Sequence, residues 1–261
     1  MFRANGLRKK LASGEPCLGS WLFLGSPITA ELLALAGFDA LIIDHEHSSG
    51  GLETTYHQLR AISQTETTAL VRIAENTPAL VKQSLDAGAE GLVFARVESA
   101  GEARDMVAAT RYPPRGIRGI QRTSRAADYG LSWPDYAAAF GEDQLNIALI
   151  ESECGVTALP EICEVDGIDM IFVGAADLAA DIGKMDRPGD AQLQDLIREI
   201  EVQALKHGKW LGRVVADTEA ANAAFRQGYH FVTYSSDAVL LRDAAVHAVR
   251  GVRRGGVSDA A

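Results

Sequence analysis

Eight short apolar, β-rich runs alternate with helical patterns along this chain, and that alternation constrains the fold more than any other feature. The runs are residues 17–23, 40–44, 68–73, 91–97, 145–151, 169–174, 210–215 and 231–235. Most are near-continuous in apolar side chains instead of alternating apolar with polar. A strand has that pattern when both of its faces are buried, as in a parallel sheet covered by helices. The intervening segments carry helical signals. Residues 28–37 crowd apolar side chains at helical spacing and stop at Gly37. Residues 76–88 offer Asn76 or Thr77 as a cap, Pro78 in the first turn and Gly88 as a stop. Residues 99–110, 192–208 and 217–228 behave likewise. Strand–helix alternation repeated eight times within 261 residues predicts an α/β fold, a (β/α)8 TIM barrel, with residues 1–261 as a single domain. An N-terminal helix is expected at about residues 3–13, and a tail without order at about 254–261. An open doubly wound sheet would want a GxGxxG turn after the first strand, and residues 24–29 read LGSPIT instead. Residues 111–140 are too long for a simple connection, so that stretch is expected to be functional or to lie at an interface.

The formal charge of −10 argues against nucleic acid and anionic membrane as partners. It says nothing against a small anionic substrate, which feels only the local field. No apolar run approaches the ~20 residues that span a bilayer, and the N-terminus lacks the apolar core of a signal peptide. Cys17, Cys154 and Cys163 form neither a CxxC pair nor an even set. These features predict a soluble, cytoplasmic protein.

If the strands close into a barrel, their C-terminal ends share one mouth, where enzymes of this fold do their chemistry. Asp44, His45, Glu46 and His47 end the second run, Arg72 the third and Glu151 the fifth; the sixth leads through Gly174 to Asp177. Polar residues end strands in any barrel, but an acid on adjacent strands with an Arg and a His opposite is more than that explains. Glu151 and Asp177 would repel at one mouth unless a cation separates them. Two carboxylates with open positions suit Mg²⁺ or Mn²⁺, with Co²⁺ or Zn²⁺ as substitutes. The plainer reading is two surface acids, Asp177 being a helix cap.

His45 and His47 have the spacing of a zinc site, which would make a zinc hydrolase. The other histidines, His57, His207, His230 and His247, lie away from the predicted mouth, so that site lacks ligands. A histidine beside an aspartate reads better as an acid/base whose tautomer the carboxylate fixes. Arg72, between Val71 and Ile73, needs an anion: a carboxylate of the protein or the oxygen of a substrate. None of the six lysines falls at a predicted C-terminal strand end, which disfavours an imine-forming aldolase.

The segments 31–47, 85–91, 111–119, 150–152, 167–183 and 236–241, with Arg72, resemble the HpcH/HpaI aldolases, the metal-dependent pyruvate aldolases, from about Leu18 to Leu241. The resemblance implies a (β/α)8 barrel, commonly a hexamer with exchanged terminal helices, here a homo-oligomer (hexamer or trimer). It implies reversible cleavage of a 4-hydroxy-2-oxo acid to pyruvate, or hydroxypyruvate, and an aldehyde through a metal-bound enolate. By position, Glu151 and Asp177 match the metal ligands and Arg72 the residue that stabilises the enolate. His47 matches the catalytic histidine, Asp44 its carboxylate partner, and Asp86 an acid that reaches a neighbouring subunit's site. The backbone of Gly174, Ala175 and Ala176 matches the segment that binds the substrate carboxylate. Trp21 is expected either to wall the pocket or to pack in the core, and Arg213 either to contact substrate or to lie on the surface. His45 replaces a small residue of the family pattern, Ala175 a Pro, and Arg213 an apolar residue. Arg96, Arg122 and Arg213 would favour an acidic or polyhydroxylated aldehyde. Asp237 fits the pattern without a role beyond capping the last helix. Oxaloacetate decarboxylation or acyl-CoA cleavage on the same enolate platform, and a non-catalytic barrel that binds a 2-oxo acid, are the alternatives.

Overall fold

The computed structural model describes residues 2–141 and 143–255. In chain order the elements are α1 (Gly6–Ala12), β1 (Cys17–Leu22), α2 (Pro27–Leu35), β2 (Ala40–Asp44), α3 (Leu52–Ile62), β3 (Thr68–Ile73), α4 (Pro78–Ala87), β4 (Gly91–Phe94) and α5 (Ala100–Thr110). They continue with a 3-10 turn (Arg125–Gly130), α6 (Trp133–Ala139), β5 (Leu145–Ile150), α7 (Glu153–Cys163), β6 (Met170–Val173), α8 (Ala175–Asp181), α9 (Ala191–Lys206), β7 (Trp210–Val215), α10 (Thr218–Arg226), β8 (Phe231–Ser236) and α11 (Asp237–Gly255). The strands pair in parallel, each with the next, and β1 closes on β8. The chain is thus a single-domain (β/α)8 barrel. The expected terminal helix is α1, and residues 254–255 of the expected tail belong to α11. The rest of that tail lies outside the described residues.

Two apolar layers explain why the strand runs are so uniformly apolar. Trp21, Ile42, Leu70, Val93, Ile147, Leu149, Phe172 and Phe231 face inward and fill the barrel. Leu41, Ile43, Val71, Leu92, Ile150, Val173 and Val232 face outward against the helices. Several helix starts are capped by a side-chain oxygen, that of α4 by Thr77 as expected. Thr77 accepts from the Leu80 N–H, Ser99 from Glu102 and Ser152 from Gly155, while Gly88 ends α4 in the left-handed region at φ 103°. The long segment after α5 is not structureless, since it holds the 3-10 turn and α6. Among the described residues no helix is long and apolar enough to cross a membrane.

Candidate active site

The inward parity of the strands delivers charge to the mouth. Asp44 and Arg72 sit opposite each other in the β2–β3 register, one step beyond the inward pair Ile42 and Leu70. Glu151 follows outward Ile150, and Gly174 follows outward Val173, so both turn inward at the ends of β5 and β6.

Arg72 and Asp44 form a buried, two-pronged pair. The Nε–H donates to Oδ1 at 3.0 Å and Nη2–H to Oδ2 at 2.5 Å, with both side chains almost wholly shielded. Beneath them Trp21 lays its ring 4.6 Å from the guanidinium carbon, and its Nε1–H donates to the Thr233 hydroxyl at 2.9 Å. A desolvated contact of this kind is worth about 1–2 kcal/mol. Trp21 is therefore part of the barrel core and packs on Arg72. Asp44 also accepts the backbone N–H groups of Glu46 at 2.8 Å and His47 at 3.3 Å. The expected bond from Asp44 to the imidazole of His47 is not made, because both carboxylate oxygens are committed to Arg72 and the loop backbone. The carboxylate beside that ring is Glu46, whose Oε2 is 3.9 Å from His47 Nε2 and 3.1 Å from Arg72 Nη1. Sequence reading passed over Glu46; its place between the two histidines was the available signal.

Glu151 is buried, and its Oε1 accepts the Arg96 N–H at 2.7 Å. Arg96 stands at φ 48° to present that N–H. Burial, and then the charge of Asp177, push the Glu151 carboxyl up to about 7. Gly174 gives it room: a Cβ there would lie 2.6 Å from Glu151 Cβ and 2.9 Å from Oε2. Asp177 is not the cap of α8, since Gly174 holds that position, and its side chain is left exposed in the first turn. The donor set fits a hard divalent cation: two carboxylates, mutually repelling, one buried and held in place. Among the described residues no group of three or more His, Cys, Asp or Glu is arranged to hold a metal. Water and substrate would complete the coordination.

Several expectations are corrected. His45 turns away from the mouth and is hydrogen-bonded through Nε2 to Thr55 Oγ1. Thr55 also donates to the Gly51 carbonyl, so the His45 ring is tied to the start of α3 and not directed toward His47. Burial holds this imidazole below its ordinary value, that is, neutral. A zinc site on His45 and His47 is thus ruled out by direction. Arg213 also faces outward, opposite Val173 and Val232 in register, and lies over the Tyr229 ring at 5.1 Å. The inward residue at the mouth end of β7 is Val214, opposite Thr233; strand parity alone could have found it. Arg96 spends its guanidinium on Glu98 at 3.0 Å and Asp181 at 3.1 Å. Arg122 lies 5.8 Å from the Trp133 ring. Arg96 and Arg213 are committed elsewhere and give no support to an acidic-aldehyde preference. Asp86, in the last turn of α4, is held by the buried Arg118 at 2.5 Å and is not brought to its own chain's mouth. Asp237 does more than cap: it accepts from Phe23 N–H at 2.8 Å and Thr29 Oγ1 at 2.8 Å, tying the β1–α2 loop to α11.

What the mouth offers is a charge-paired guanidinium beside two carboxylates that suit a divalent cation, an arrangement compatible with a carbon–carbon lyase, and the chain is one. Its sequence matches the profile of the HpcH/HpaI aldolase/citrate lyase family over residues 18–244, and it belongs to that family. It is 38% identical to a 4-hydroxy-2-oxo-heptane-1,7-dioate aldolase of Escherichia coli, over 92% of each chain. It is 39% identical to a hydroxypyruvate/pyruvate aldolase of Roseovarius nubinhibens, over 92% of this chain and 94% of the other. A crystal structure of an HpcH/HpaI aldolase/citrate lyase family protein from Burkholderia cenocepacia superposes with a TM-score of 0.91, at 35% identity, over 95% of this chain and 99% of the other.

Proposed function

We propose that the protein is a divalent-metal-dependent aldolase that cleaves a 4-hydroxy-2-oxo acid to pyruvate and an aldehyde, and runs the reverse addition. The observation that carries this reading is the buried Glu151, raised to about 7 by burial and by Asp177, beside the charge-paired Arg72. Glu151 and Asp177 would hold Mg²⁺, Mn²⁺ or Co²⁺; such a cation supplies Lewis-acid polarisation of the substrate carbonyl. Arg72, fixed by Asp44 and Trp21, turns its remaining N–H donors to the oxygen on which enolate charge develops. The backbone N–H groups of Ala175 and Ala176, at the start of α8, receive the substrate carboxylate. His47, exposed on the loop after β2, removes the proton of the C4 hydroxyl in cleavage and returns it in synthesis. Trp21 and Val214 wall the pocket. Asp86 serves the site of a neighbouring subunit.

Hydroxypyruvate in place of pyruvate is the second reading for the nucleophile, supported by the relative that carries both in its name. The protein is proposed to be cytoplasmic, which its three free cysteines suit. Exposed apolar side chains on α2 and α11 support a homo-oligomer, a trimer or hexamer. Pyruvate release from a racemic 4-hydroxy-2-oxo acid tests the function. Release that EDTA abolishes and Mn²⁺ restores is expected. No release with any divalent metal, from folded protein, overturns it.

A further inference from the structure

Arg72 carries one positive charge and meets two carboxylates. Asp44 is fully buried, binds through two hydrogen bonds, and by itself neutralises the guanidinium. Glu46 is the surplus anion. Its Oε2 stands 3.1 Å from Nη1, on a side chain that is 31% exposed and carried by a loop. The two ion pairs therefore differ in kind: one is part of the barrel and the other is open to water. Trp21 covers one face of the guanidinium and Asp44 takes Nε and Nη2, which leaves the Nη1 corner for a further oxygen, and Glu46 occupies it. The same Glu46 Oε2 is 3.9 Å from His47 Nε2.

We infer that Glu46 is a displaceable counter-ion of Arg72: it holds Nη1 in the resting site, yields it to the oxygen of a bound 2-oxo acid, and swings toward His47. This rests on the aldolase reading for its substrate class, but its core, competition for one guanidinium, does not need turnover. An internal competitor lowers the apparent affinity of the incoming anion by the fraction of time it holds the site. Removing its charge must tighten anion binding, even though the residue lies in the middle of the site. The released carboxylate, already within 3.9 Å of His47 Nε2, closes on the imidazole and orients it only once substrate is in place. Glu46 is thus a positioning residue, and its loss should lower KM and kcat together.

The test is calorimetric titration of oxalate, a planar enolate mimic, into protein saturated with Mn²⁺. Glu46→Gln and Glu46→Ala are each expected to bind oxalate about tenfold more tightly than wild type. Glu98→Gln, which removes a rim charge that pairs with Arg96 and not with Arg72, measures the general field effect and is expected to change affinity less than twofold. Cleavage kinetics of the Glu46 variants should show KM and kcat falling together. Oxalate affinity that is unchanged or weaker in both Glu46 variants, or that rises as much in Glu98→Gln, overturns the inference. Wild type that binds oxalate and gains by the Glu46 substitutions, yet cleaves no 4-hydroxy-2-oxo acid, sinks the aldolase reading and leaves the counter-ion standing.

Discussion

At the scale of single residues, the mouth is built from groups that the fold holds against their own preference. Glu151 is the clearest. Its folded pKa of about 7 lies above its ordinary 4.5, so the folded state binds this proton more tightly than the unfolded chain. The group therefore costs the metal-free protein stability as pH rises from about 4.5 to about 7, and nothing further above that. In EDTA, the unfolding free energy of wild type minus that of Glu151→Gln should fall across that window and then level. A difference that is flat from acid to neutral pH would contradict the placement. A divalent cation should stabilise wild type at neutral pH and leave the variant unmoved. Asp44 makes the opposite case, a buried charge that is matched. Asp44→Asn leaves Arg72 buried with a partner that no longer carries charge, and should cost about 3 kcal/mol in denaturant unfolding. It should also lower kcat at least a hundredfold, since Arg72 loses its fixed direction. Unfolding within about 0.5 kcal/mol of wild type would mean that Glu46 and water suffice to hold it.

At the scale of elements, a strand end and the turn that follows it set each position. The start of α8 is the narrowest point, because Gly174 lets the β6 end pass against Glu151. Gly174→Ala should keep the barrel's circular dichroism and weaken Mn²⁺ binding at least tenfold by titration. Binding within twofold would show that the carboxylate can move aside. The strands were legible because runs such as 40–44 and 68–73 are apolar on both faces, and only a covered parallel sheet makes use of that. The starts of α4 and α5 were legible from Thr77, Pro78 and Ser99. Asp44, Arg72 and Glu151 were legible because each falls at the end of an apolar run, and Asp177 because it follows the sixth run within one turn. Direction was harder to read. Arg213 lies at the right height but faces out, and a one-residue step in β7 separates it from Val214. His45 and His47 read as a pair, yet both follow the end of β2, and His45 turns to Thr55 while His47 lies beside Glu46. The Asp44–Arg72 pair depends on register between two strands, and the clamp by Asp237 joins residues more than two hundred positions apart; neither is visible in local sequence.

At the scale of the whole molecule, the barrel places its chemistry at one end and leaves apolar surface on its flank. Ile28, Leu32 and Leu35 of α2 are 68%, 61% and 69% exposed, and Leu241 and Val252 of α11, which packs against α2, are 62% and 78% exposed. The proposed assembly would cover them. Leu32→Glu with Leu35→Glu should reduce the mass seen by light scattering, and an unchanged mass would remove α2 from the interface. The central claim, that Glu151 and Asp177 hold a cation which lets this barrel form the enolate of a 2-oxo acid, is tested most directly without any aldehyde. The measurement is deuterium exchange into the methyl group of pyruvate in D₂O, followed by proton NMR with Mg²⁺, with EDTA, and with Glu151→Ala. The expected result is exchange that requires both the cation and Glu151. Exchange that persists in EDTA or in the variant, or its absence from folded wild type with Mg²⁺, would contradict it.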